Sequence, residues 1–314
     1  MMVQRSFELR GAEGLGDKPR PDVIGGVLAG LRATLQDTVR MGFLHSSRTA
    51  GRIPAMLKHA AKVRYLGHTG HGDCSTILRF EVPEFGSVAD ELFRQGLLWD
   101  EGPTRQQTSF DLLATVLADV RRMARDSRRF DHPLLHRLAG YRQRFRHGLE
   151  SIGLPDVQGI EPTQIDVALS RAAEELYRET PAPKRVRVAG RLDMLGVSER
   201  VMGLVLADGT PITGVWNTEP FTELAAFLDK QVVIEGVAVF RPSGALLRVD
   251  TDAVAYAAAE DAFFATLPSA NREPDYAKEA ARGNVSRGAY SAILGQLRGE
   301  ESDEDFVRAV AAVS

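Results

Sequence analysis

Polar and apolar residues alternate through residues 3–10 (VQRSFELR), the period-two pattern of a strand with one buried face. The period then changes. Val23, Val27, Leu28, Leu31 and Leu35 recur at helical spacing behind Asp22, which predicts a helix from Asp22 to about Met41 with Asp22 as its cap. A polar loop at 46–52 (SSRTAGR) precedes a short helix expected near 54–61. The β-rich runs KVRYLG and TILRFEVP follow, joined by the stretch GHTGHGDCST at 67–76. Further helices are expected near 86–97, 106–127 and 131–148.

From Pro181 to about Tyr256 the texture changes to short β-rich runs separated by turns: VRVAGRLDML, RVMGLVLA, PITGVW, QVVIEGVAVF and ALLRVDTDAV. A helical segment, Glu219 to Asp229, falls between the third and fourth runs. Three strands, a helix and two strands in that order resemble an OB-fold. Asp208-Gly209 and Ser243-Gly244 supply the positive dihedrals that tight hairpins need. Beyond the last run the chain holds AAAEDAFFATL, the linker PSANREPDYAKEAARGN, and SRGAYSAILGQLRGEESDEDFVRAVAAVS. In that tail Ala289, Ile293 and Leu297, then Phe306, Val310 and Val313, line single faces of short helices that need an external surface. The expected class is α+β: an N-terminal mixed α/β domain (1–180), a five-stranded OB-like β-barrel (181–256), and a linker with a C-terminal helical docking arm (257–314).

Charge and composition narrow the function classes. A formal net charge of -3 gives no global pull toward nucleic acid or an anionic membrane, so partners are argued segment by segment. The single cysteine excludes an internal disulfide and fits a reducing, cytoplasmic compartment. The opening MMVQRSFELRG lacks the apolar core of a signal peptide, and no window approaches the roughly 18 apolar residues of a membrane span. A soluble protein without membrane contact is expected.

Four segments carry candidate chemistry. In GHTGHGDCST, His68, His71, Asp73 and Cys74 are zinc-type donors, but they sit in a Gly-rich turn and no second donor pair with familiar spacing accompanies them. A phosphate cradle of glycine amides and a Cys-His nucleophile pair are weaker readings of the same loop. The plain expectation is a polar hairpin with a buried free cysteine entering the next strand, and hence no metal and no cofactor.

The second segment is a basic run. Arg121, Arg122, Arg125, Arg128, Arg129, Arg137, Arg142, Arg144 and Arg146 face only Asp126 and Asp131, with Phe130, Tyr141 and Phe145 interleaved. Arginine with aromatics suits phosphate contact and base stacking. The competing expectation is a solvated face that pairs with acids elsewhere in the chain. The third segment is the barrel, which from Lys184 to Asp252 holds eight Lys or Arg against nine Asp or Glu and so implies no basic groove.

Fourth, GEESDEDF places Glu300, Glu301, Asp303, Glu304 and Asp305 beside Phe306 and an apolar helix face. Ser302 can cap that helix and the acids can complement its dipole. The same residues make a docking arm for a basic surface of a partner. SRGAYSAILGQLRGEESDEDFVRAV resembles the tails of small bacterial antitoxins, in which a Gly-acidic-Ser-Asp-Glu segment opens a last short helix. That resemblance implies a protein partner, a toxin and often a nuclease, whose active site the tail would cover. The expected function is therefore that of a non-enzymatic interaction or regulatory protein of a toxin-antitoxin or phage-defence type. A nucleic-acid-binding protein using the Arg-rich helices is the alternative, and a metal-dependent hydrolase at the His68/His71 loop the second alternative.

Overall fold

The computed structural model describes residues 1–270, apart from 13–14, 49–52, 71, 73, 91–92, 94–101, 155–162, 197–199 and 217–220. Both helices and strands are present. The strand β1 (Met2–Gly11) is central to a five-stranded antiparallel sheet with β2 (Arg64–Gly70), β3 (Ser75–Pro83), β4 (Leu149–Gly153) and β5 (Gln164–Asp166), in the order β2-β3-β1-β4-β5. The alternation seen in the sequence sets its two faces. Phe7, Leu9, Leu78, Phe80 and Val82 are buried, whereas Ser6, Arg10 and Arg79 face solvent.

Four helices bury the apolar face: α1 (Pro21–Leu44), then, past the short α2 (Ala55–Ala60) and α3 (Phe85–Val88), α4 (Ser109–Arg121), α5 (His132–Ala139) and α6 (Val167–Glu179). Their Leu31, Leu35, Phe110, Leu117, Leu138 and Leu176 join the sheet residues in one core, where the Phe7 ring meets Phe110 at 4.5 Å and Phe80 edge-on at 5.2 Å. A smaller cluster of Val39, Phe43, Leu57 and Phe85 seats α2 and α3.

Several helix boundaries differ from expectation, each for a local reason. Pro21 occupies the first turn of α1 and Asp22 pairs with Arg20 at 2.7 Å, so Asp22 does not cap the helix. The expected helix at 106–127 is α4, which stops at Arg121 because the carboxylate of Asp119 draws the following loop around itself. It accepts from Arg122 (2.5 Å), Ser127 (2.7 Å) and Arg129 (2.9 Å), and Met123 turns through φ 54°. The expected 131–148 helix is α5 followed by a 3₁₀ segment, Gly140–His147. Of the helix expected at 86–97, residues 86–88 fall in α3, and 91–92 and 94–97 lie outside the described residues. The arm at 271–314 lies outside the described residues.

The remaining strands β6 (Lys184–Gly196), β7 (Val201–Val205), β8 (Pro211–Trp216), β9 (Gln231–Phe240) and β10 (Leu246–Tyr256) close a barrel in the order β10-β8-β7-β6-β9. Closure is made by the parallel β8–β10 pair, and the other pairs are antiparallel. The segment expected as a helix between β8 and β9 is a 3₁₀ turn, Phe221–Phe227. Val188, Leu192, Leu204, Ile212, Ile234, Phe240 and Val249 fill the interior. At Gly236 a Cβ would collide with the Asp250 carbonyl, so the close β9–β10 contact requires glycine there. A closed five-stranded barrel with this succession is consistent with an OB-like fold.

The barrel is not hung on a loose linker. Val239 and Leu247 are buried in the helical core rather than in the barrel's own. Beside them Arg248, only 4% exposed, donates to Asp131 (3.3 Å), itself 2% exposed, and to Asp250 (2.7 Å). Asp131 also caps α5 by accepting from Leu134 N–H, and holds the residues after α1 by accepting from the Ser47 N–H (3.0 Å) and hydroxyl (2.5 Å). Further out, Ser243 N–H and an Arg241 guanidinium N–H donate to the Arg125 and Asp126 carbonyls. Residues 1–270 accordingly form one compact unit.

An unpaired buried charge costs far more than the pair contributes, so removing one partner is the informative change. Asp131→Ala removes the more buried of the two carboxylates at Arg248 and strands the Ser47 and Leu134 donors, and is expected to lower the urea-unfolding free energy by about 3–5 kcal/mol. Asp131→Leu with Arg248→Met is expected to lose less than the single variant, because the charge left without its partner, Asp250, keeps a side chain 25% exposed to water. A loss below about 1 kcal/mol in Asp131→Ala, the scale of an exposed pair, would contradict the buried linkage.

Candidate functional site

The seam between the helices and the barrel encloses a cavity of about 700 Å³, within the size range of small-molecule sites and at the sort of junction where they occur. Thr38, Met41 and His45 of the α1 end, Leu112, Val116 and Asp119 of α4, residues 124 and 126–129 of the loop that follows, and Pro211, Thr213, Arg241 and Leu247 of the barrel line it. The helix geometry places His45 there. It is the residue after α1, in the left-handed conformation (φ 53°) that ends a helix by turning the chain sharply.

Burial pushes the His45 imidazole down to about 4, with the positive charges of Arg248 and Arg128 acting in the same direction, so the ring is neutral at physiological pH. Asp119 is held below the usual carboxylate range. Its burial acts the other way, but the hydrogen bonds from Ser127, Arg129 and Arg122 outweigh it. Arg128 is exposed at the cavity and makes no ion pair among the described residues. The Thr38 hydroxyl is buried without a hydrogen-bond partner among them. The arrangement offers aliphatic walls for an apolar group, a neutral imidazole, and a free guanidinium for an anion.

The residues singled out in the sequence fall elsewhere. His68 lies on β2, where its Nδ1 and the Tyr65 hydroxyl are 2.7 Å apart. Cys74 is a free thiol and exposed, not buried as expected, because it stands just before β3 begins its inward alternation at Ser75. His71 and Asp73 lie outside the described residues, as do Glu300, Glu301, Asp303, Glu304, Asp305 and Phe306. Among the described residues no group of three or more His, Cys, Asp and Glu stands close enough to hold a metal ion. No helix among them is long and apolar enough to cross a membrane.

The basic run is largely neutralised within the chain. Arg121 pairs with Asp166 (3.1 Å), Arg122 and Arg129 with Asp119, Arg125 with Glu179 (2.7 Å), Arg137 with Asp37 (2.5 Å) and Arg142 with Glu174 (3.3 Å). Arg144 donates to the Gly26 carbonyl and lies 5.5 Å from the Tyr141 ring centre. Three of the acids, Asp166, Glu174 and Glu179, come from the N-cap and body of α6, a helix that the sequence reading did not anticipate.

Neither His45 nor Arg248 stood out in the sequence, and Asp131 stood out only as one of two acids beside the basic run. Arg248 left a faint signal: it interrupts an otherwise apolar strand run, Leu246-Leu247-Arg248-Val249, which marks an inward-facing charge in need of a partner. Comparison with known proteins adds no relative: no family model, no curated protein and no solved structure matches the chain.

The lowered His45 value predicts a pH dependence. The unfolded ring protonates near 6.5 and the folded one near 4, so stability is full above the unfolded value and falls as pH drops through that window. Between pH 7 and pH 5 the loss is expected to be roughly 2 kcal/mol. His45→Asn, which tolerates the left-handed backbone, is expected to flatten that difference in urea titrations at the two pH values. An unchanged slope in the variant would contradict a buried neutral imidazole.

Proposed function

We propose that the chain is a non-enzymatic interaction protein that binds a partner protein through its acidic C-terminal arm. The observation that carries this reading is the arm's sequence: five carboxylates, Glu300, Glu301, Asp303, Glu304 and Asp305, stand within six residues beside Phe306, Val310 and Val313 at helical spacing. Carboxylates of that density suit a cationic surface, and Phe306 suits the role of apolar anchor. The resemblance to antitoxin tails favours a toxin or nuclease as the partner and a regulatory role in a toxin-antitoxin or phage-defence setting. The exposed free thiol of Cys74 fits the reducing cytoplasm such a role implies.

The body of the protein also favours this reading over nucleic-acid binding. Six of the nine arginines in the basic run already face carboxylates of their own chain, which reduces the positive charge on offer to phosphates. The barrel, read as OB-like from its strand order, carries a near-balanced charge, and fold alone does not make it a nucleic-acid binder.

Affinity capture from the native cells tests the proposal. The full chain is expected to retain a partner protein that is lost when Glu300, Glu301, Asp303, Glu304 and Asp305 are changed to their amides together, and lost when 271–314 is deleted. Nuclease treatment is expected to leave it bound. Retention of the same partner by both variants would overturn the arm's role, and recovery of nucleic acid in its place would shift the function to Arg128 and its neighbours.

A further inference from the structure

A second concavity, about 670 Å³, lies between α1, α2 and the edge strand β2. Its floor is apolar: Leu31, Leu35, Leu57, Ala61 and Phe80 are buried beneath it, and Leu28 of α1, Val63 just before β2 and Tyr65 of β2 stay partly open to it. Every charged side chain that lines it is cationic: Arg32, Arg40, Lys58 and Lys62. The helical period arranges both sets. On α1, Arg32, Gln36 and Arg40 follow one another four residues apart, beside the stripe of Leu28, Leu31 and Leu35. At α2, Lys58 and Lys62 repeat the spacing beside Leu57 and Ala61. Two cationic rows thus stand on different elements around one apolar strip, and the α1 row reaches about 12 Å from Arg32 to Arg40 at 1.5 Å per residue.

Three of the four cations do not neutralise the protein's own acids among the described residues. Arg40 approaches Asp37 at 3.6 Å, but Asp37 already accepts from Arg137 at 2.5 Å. Arg32, Lys58 and Lys62 are exposed and meet no carboxylate among the described residues. In contrast, most arginines of the 121–142 run are paired. Next to the groove Tyr65 and Leu66 are 41% and 46% exposed, at a register shift in the β2–β3 ladder that interrupts regular strand pairing on that edge.

We propose that this groove docks an acidic amphipathic helix of a partner protein. An apolar stripe on such a helix would cover Leu28, Val63 and Tyr65, and Asp or Glu on its two flanks would meet the two cationic rows, the helix-in-groove mode of recognition. The distribution of charge favours this occupant over a lipid headgroup, which would need the cations gathered at one end. The inference goes beyond the acidic-arm reading, in which the chain supplies the acidic element; here it is the receptor, and the two stand or fall separately.

The test uses the full chain and a fluorescein-labelled synthetic helix of about 16 residues, with a leucine stripe and glutamates elsewhere, followed by fluorescence anisotropy. A control peptide carries lysine at each glutamate. Binding of the acidic peptide alone is expected, weakening as salt is raised. Lys58→Glu with Lys62→Glu, both at exposed positions, is expected to weaken it about tenfold with unchanged circular dichroism. Tyr65→Ala is expected to weaken it without changing the salt dependence. Equal binding of both peptides, wild-type affinity in the Lys58/Lys62 variant, or capture of phosphatidylglycerol vesicles without binding of the acidic peptide would each overturn the proposal.

Discussion

Arg248 cannot be buried alone, and much of the architecture follows from how its charge is met. A guanidinium 4% exposed carries a desolvation cost of several kcal/mol that only a nearby carboxylate and further hydrogen bonds can offset. Asp131 and Asp250 supply the carboxylates. Because Asp131 is at once the cap of α5 and the acceptor for Ser47, the barrel strand β10, the start of α5 and the chain after α1 are fixed by one side chain. Apolar contact by Val239 and Leu247 closes the same seam.

The seam has two consequences for function. It creates the cavity beside His45, whose ring stays neutral because burial there, with the Arg248 and Arg128 charges, disfavours the imidazolium. It also sets the β9–β10 turn of the barrel against the loop after α4, where Asp119 gathers Arg122, Ser127 and Arg129. Charge that a linear reading assigns to an external partner is therefore largely answered inside the molecule. Cationic charge without that internal answer remains at Arg32, Lys58 and Lys62, on α1 and near α2, outside the run that draws the eye in the sequence.

Much of the β structure was legible in the sequence. The alternation in β1 and β3 and the β-rich runs of the barrel emerge at nearly the expected positions, since period-two burial is a local property. Helix ends were not legible, because side chains brought together by folding decide them: Asp119 ends the regular part of α4 by hydrogen bonds up to ten residues ahead. The short β4 and β5 gave too few residues for a period, and α6, capped by Asp166, was passed over. At the seam, Ser47 and Arg248 are 84 and 117 residues from Asp131, a separation at which no spacing argument operates. The His68 loop shows the converse: donors close in sequence are not thereby a site.

The Asp131–Arg248 seam joins the sheet, its helices and the barrel into one cooperative body. Native-state hydrogen exchange measured along a denaturant series tests it most directly. The slowest amides of β1 and β3 and those of β9 and β10 are expected to converge on a single opening free energy as denaturant rises. Barrel amides that exchange through a separate, cheaper opening while the β1–β3 amides stay protected would contradict it.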